Sequence, residues 1–200
     1  MALPPAASTK RIRLSRAERL RHLIDISWQV VREEGTDALT LPRLAHVAGV
    51  AKPVVYDHFG TRNGLLAKLY QDFDLRQTAV IDAALAVSGP TLRDKTTVIA
   101  ASYVDCVLTQ GREMPGILSA LAGSPELERI KRDYQLAFIE KCRAILAPFA
   151  DGRGIGNASF WAMLGAADAL SQAAASADIT PEEAKAELSE IITAMTDRRS

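Results

Sequence analysis

Residues 40–66 read TLPRLAHVAGVAKPVVYDHFGTRNGLL, and the punctuation of this stretch decides the fold. Thr40 is a helix N-cap, since its hydroxyl can accept from a backbone N–H one turn on. Pro42 is tolerated in the first turn, where no helical donor is lost. Leu41, Leu44, Ala45 and Val47 then supply the apolar face of a helix of roughly two turns. Gly49 stops that helix and lets the chain turn sharply, and Val50 points back inward. A third short helix starts near Lys52-Pro53 and covers Val54 to His58. After Gly60, Thr61 caps a long fourth helix reaching about Val87. Upstream, Ser15 and Glu18 have capping-box spacing. The helix they open carries Leu20, Leu23, Ile24, Ser27, Trp28 and Val31 on one face and stops at Gly35. Three helices, the last two short and divided by a tight glycine turn, make a helix-turn-helix.

The rest of the chain also reads as helices. Gly89-Pro90 is a break, followed by helices over 91–110 and about 116–122. Ser124-Pro125-Glu126 opens another, with the stripe Leu127, Ile130, Tyr134, Phe138, Cys142 and Ile145. Pro148 and the loop ADGRGIGN end it, and a helix rich in small residues covers about 155–176. Thr180-Pro181-Glu182-Glu183 begins the last one. The predicted class is all-α with about nine helices and no strand. Residues 1–14, rich in Pro, Ala and basic side chains, read as a disordered arm in which Lys10, Arg11 and Arg13 can reach phosphates. The helix-turn-helix domain is expected over 15–62 and a larger helical domain over 63–200.

Of the 200 residues 48% are apolar and 24% charged, a globular composition. No run of about 18 uncharged apolar residues occurs, and residues 1–16 lack the apolar stretch of a secretion signal, so the cytoplasm is the expected location. Net charge is zero, yet residues 1–62 hold ten Lys and Arg against six Asp and Glu, and residues 63–200 hold fourteen against eighteen. A basic head on an acidic body suits a nucleic-acid-binding module joined to a second function. Cys106 and Cys142 have no partner spacing for a disulfide or a zinc site. His22, His46 and His58 form no triad or metal pattern, and Gly152–Gly156 (GRGIG) lacks the preceding strand of a phosphate loop. No enzyme activity, metal or cofactor is expected.

Gly35, Thr40, Leu44-Ala45, Ala48-Gly49-Val50, Lys52, Tyr56, His58-Phe59-Gly60 and Leu65-Leu66 give this region, from about Leu23 to Leu66, a strong similarity to the DNA-binding domain of the TetR (tetracycline repressor) family. The string AGVxKxxxYxHF is its most specific part. The resemblance implies a homodimeric, ligand-responsive regulator, most often a repressor, on a palindromic double-stranded DNA operator. It implies that Thr40, Lys52, Tyr56, His58 and Arg62 contact the DNA backbone and that Pro53, Val54 and Val55 sit at base-reading positions; Arg43 joins the DNA-binding set. Three departures stand out. Ala51 replaces a Ser or Thr cap, Val54 replaces a polar reader and suits a thymine methyl, and Arg62 stands where Lys is common.

The resemblance also makes the C-terminal domain a ligand-binding and dimerisation domain. Its effector is a small molecule that no sequence feature names. The expected pocket residues are Tyr70, Phe73, Tyr103, Asp105, Cys106, Met114, Leu118, Tyr134 and Phe138, and the same aromatic and Met residues also suit a plain core. Asp105 and Asp168 interrupt apolar helices, and each is a pocket group, a partner in a structural ion pair, or simply exposed. The last two helices are the expected dimer interface, through Leu164, Ala167, Leu170, Ala174, Leu188, Ile191 and Met195. The rival readings are a helical protein-interaction module, an activator, and, furthest from the pattern, an enzyme.

Overall fold

The computed structural model describes residues 14–109, 113–122, 124–150 and 154–196. The predicted arm, with Lys10, Arg11 and Arg13, the loop residues 151–153 and the side chain of Leu127 lie outside the described residues. Among those described there are nine α-helices and no strand. They are α1 (Arg16–Glu34), α2 (Leu41–Val47), α3 (Lys52–Phe59), α4 (Arg62–Val87), α5 (Leu92–Thr109), α6 (Glu113–Leu121), α7 (Pro125–Leu146), α8 (Asn157–Ala175) and α9 (Pro181–Thr196). Short 3-10 turns follow α1 at Thr36–Ala38 and α7 at Ala147–Phe149.

Local chemistry sets the helix starts. Ser15 Oγ accepts from the Glu18 N–H at 3.2 Å while the Glu18 carboxylate accepts from the Ser15 N–H at 2.7 Å, closing the capping box. Thr40 and Thr61 cap α2 and α4 by accepting from the N–H groups of Arg43 and Gly64. Thr180 and Glu183 form a further reciprocal pair at the start of α9.

Two buried clusters hold the chain. The first joins Leu23, Ile24, Trp28 and Val31 of α1 with Leu44 of α2, Val55 and Phe59 of α3, and Leu65, Leu66 and Leu69 of α4. Met114, Ile117 and Leu121 of α6 complete it. Each such side chain contributes about 1.5–3 kcal/mol by leaving water. The second cluster packs α5, α7, α8 and α9 around Ile99, Val104, Cys142, Phe160, Met163, Leu188 and Ile192. α6 begins three residues before the expected Gly116. The reason is tertiary: Met114 is 1% exposed, sealed in the first cluster.

A polar network ties α1 to α4. The Trp28 indole donates to Asp72 Oδ2 at 2.7 Å, Arg76 pairs with the same carboxylate at 2.7 Å, and Arg21 also pairs with it. Burial pushes the Asp72 carboxyl up, but the bonds from Arg21 and Trp28 and the charge of Arg76 carry it below its ordinary value.

Candidate nucleic-acid interface and ligand cavity

α3 has a covered face and an open one. Gly49 turns at φ +63°, a left-handed conformation that glycine adopts without strain, and Val50 N–H donates to the Ala45 carbonyl at 3.0 Å. Ala51 makes no side-chain cap, and Pro53 sits in the first turn of α3. Lys52, Pro53 and Asp57 are exposed, Tyr56 is 47% exposed, and Val54 is half-buried. Val55, expected at a base-reading position, is 0% exposed. The helical period places it with Phe59 on the core face, so it cannot reach a base edge.

The open face has a basic border. Arg16 is exposed and its guanidinium donates to the Asp57 carbonyl at 3.4 Å. Burial lowers the pKa of His58, and the charges of Arg16 and Arg19 lower it further. Both effects favour the uncharged imidazole, against the opposing charge of Asp57. Neither Arg16 nor Arg19 is in the expected set. The signal for them is two basic residues one turn apart at the start of α1.

Two expected phosphate ligands are engaged elsewhere. The Arg43 guanidinium forks onto Glu34 at 3.0 and 2.7 Å across the α1–α2 gap. Arg62 donates to the carbonyls of Leu39 at 2.9 Å and Thr36 at 2.8 Å, part-buried beneath the 3-10 turn. This corrects the expectation for Arg62: its hydrogen-bonding edge faces inward and braces the head. Thr40 is exposed at the start of α2.

A cavity of about 480 Å³ lies between α4, α5, α6, α7 and α8. Tyr70, Phe73, Tyr103, Cys106, Met114, Leu118, Tyr134 and Phe138 all line it. Tyr70 tilts against Tyr134, and Tyr103 against Phe138, each pair with ring centroids 5.3 Å apart. The Tyr103 hydroxyl donates to Asp168 at 2.6 Å. Burial raises the Tyr70 hydroxyl to about 12, with the carboxylates of Asp74 and Asp168 acting in the same direction. Asp105 does not line this cavity. Its carboxylate is exposed and pairs with Lys185 of α9 at 2.6 Å, so of the open alternatives exposure and an ion pair hold together. Asp168 is exposed rather than buried, at the cavity edge. Asp74, absent from the expected set, also lines the cavity. The signal for it is its place one turn after Tyr70, beside Phe73, on a long helix.

The expected interface residues divide by burial within the chain. Leu164, Ala167, Ala174, Leu188 and Met195 are buried in the chain's own second cluster, and Leu170 and Ile191 are half-buried. The outward face of α8 is instead Ala158, Trp161, Ala162, Gly165, Ala169 and Gln172, a regular helical stripe of exposed residues. No helix among the described residues is long and apolar enough to cross a membrane.

A short helix offered to solvent by a glycine turn, on a small head joined to a cavity-bearing helical body, is a helix-turn-helix architecture. Residues 23–69 match the model of the tetR family of bacterial regulatory proteins. The whole fold is similar to a TetR transcription regulator from Haloarcula marismortui ATCC 43049 (TM-score 0.70, 17% identity, covering 90% of this chain and 98% of that one). It is also similar to the fatty acid degradation regulator FadR from Bacillus halodurans (TM-score 0.67, 15% identity, 90% and 97% covered). A third similar structure is the multidrug binding protein EbrR complexed with imidazole (TM-score 0.63, 20% identity, 92% and 97% covered). Among curated protein sequences there is no significant match.

Proposed function

We propose that this protein is a ligand-responsive transcriptional repressor that binds a palindromic operator in the cytoplasm as a homodimer. The observation that carries this reading is the open face of α3: Lys52, Pro53 and Tyr56 exposed at its surface, with Val55 and Phe59 anchoring the opposite face. An α-helix presented this way enters a major groove about 12 Å wide. Lys52, Tyr56, His58 and Thr40 hold phosphates, with Arg16 and Arg19 extending the basic border, and Arg43 can turn from Glu34 to join them. Pro53 and Val54 face the base edges and favour thymine methyls. In the dimer, the outward stripe of α8 meets its copy, and α9 borders the contact. Two heads then sit about one turn of DNA, or a multiple of it, apart.

The division into an arm over 1–14, a head over 15–62 and a body over 63–200 is part of this reading, with α6 lent by the body to the head. That EbrR is a multidrug binding protein supports reading the cavity as an effector site. α4 and α6 each line the cavity and each contribute to the first buried cluster. An effector that prefers one placement of these helices therefore shifts the heads, and operator affinity falls by its differential affinity for the two states.

Fluorescence anisotropy on labelled inverted-repeat duplexes from the gene's own upstream region tests the reading. Binding is expected to weaken steeply as salt rises. The double variant Lys52→Ala/Tyr56→Ala is expected to lose this binding while keeping its thermal unfolding midpoint. Retained binding by that variant would refute the assignment of α3. A promoter–reporter fusion separates repression from activation by the direction of change when the gene is deleted.

A further inference from the structure

We propose that the cavity selects an organic monocation, an amine nitrogen on an aromatic body, whose charge meets Asp74 while the body packs among Tyr70, Tyr103, Tyr134 and Phe138. This rests on reading the cavity as the effector site. The argument begins with the charged groups that line it. α4 supplies Asp74, α8 supplies Asp168, and α7 supplies Lys131 and Lys141. The lining residues of α6, Met114 and Leu118, carry no charge, and α5 offers Tyr103 and Cys106. Three of the four charged groups are already satisfied. Lys141 Nζ is held by Asp82 at 2.5 Å, Asp168 accepts from the Tyr103 hydroxyl at 2.6 Å, and Lys131 is exposed to water.

Asp74 is the exception. It is half-buried and has neither a hydrogen bond nor an ion pair among the described residues. Burial pushes its carboxyl up to about 6, against the opposing charge of Lys141. It is thus mostly ionised at pH 7 without a hydrogen-bond or ion-pair partner among the described residues, and a carboxylate in that state gains most from a charged N–H. The tyrosine and phenylalanine faces attract the same cation. A neutral guest returns at most an uncharged hydrogen bond for the water it displaces from Asp74, and an anion would be repelled by both acids.

Three near-isosteric probes decide the matter by calorimetric titration of the full-length protein: 1-naphthalenemethylamine, 1-naphthalenemethanol and 1-naphthaleneacetate. The amine is expected to bind at least about tenfold more tightly than the alcohol, with the acetate weakest. Asp74→Asn is expected to erase that preference while leaving the affinity for the alcohol within about threefold, and Asp74→Glu to keep it. An amine no tighter than the alcohol overturns the inference and leaves the cavity standing as a ligand site. So does a tightest-binding acetate whose affinity falls in Lys131→Gln. Failure of all three probes to bind overturns the cavity reading and the inference together.

Discussion

Arg62 spends its guanidinium on two carbonyls of the turn that precedes α2, and this fixes what its loss must do. Arg62→Ala leaves both acceptors unpaired in a part-buried site and is expected to lower folding stability by about 1–3 kcal/mol. Urea unfolding measures it. A weaker DNA affinity with unchanged stability would return Arg62 to the phosphate-binding set. Asp74 makes a second prediction from a group that gains nothing in the fold. Its folded pKa is raised by burial to about 6, from an ordinary 3.8. The stabilisation linked to its protonated form is complete below the ordinary value and is lost as pH rises through about 6. Asp74→Asn should therefore raise the melting temperature relative to the parent at about pH 7.5, and the advantage should vanish near pH 4. An equal gain at both pH values would mean that ionisation of Asp74 is not the cause.

α6 lies against the head so closely that a methyl group has no room. A Cβ on Gly116 would come within 2.5 Å of Thr36 Oγ1, on the same turn that Arg62 braces. Gly116→Ala is expected to cost roughly 1–3 kcal/mol by forcing α6 from the head, with part of the loss recovered in Gly116→Ala/Thr36→Ala. Additive costs in that cycle would place the strain elsewhere. Nothing local in the sequence announces this contact, whereas the helix-turn-helix is announced by side chains that act on their own backbone: Ser15, Thr40, Thr61 and the glycine at 49. Val54 and Val55 are chemically alike, and only the position of the core decides that Val54 is half open and Val55 is sealed. α8 illustrates the same limit at the level of a face. Its period puts Leu164, Ala167 and Ala174 together correctly, but periodicity does not say which neighbour covers them, and α5, α7 and α9 do. Aromatic pocket residues were legible because bulk at helical spacing points inward; Asp74 was not, because a carboxylate ordinarily points out.

At the scale of the molecule, the outward stripe of α8 is where a second copy is expected. Gly165 lies in its middle and is open to solvent, with nothing within 4 Å of an added Cβ. Gly165→Glu should therefore fold, yet sediment as a monomer at concentrations where the parent is a dimer, and lose operator binding with it. A dimeric Gly165→Glu would move the interface to another face. The seat of α6 carries one more consequence, for recombination. Because Met114, Ile117 and Leu121 complete the buried cluster around α1 and α4, the reading head is not a cassette that ends where α4 ends. A chimera that grafts residues 1–90 onto the sensor of a relative inherits a foreign helix in that seat, so compatible grafts must carry 113–121 along with the head or match its three side chains.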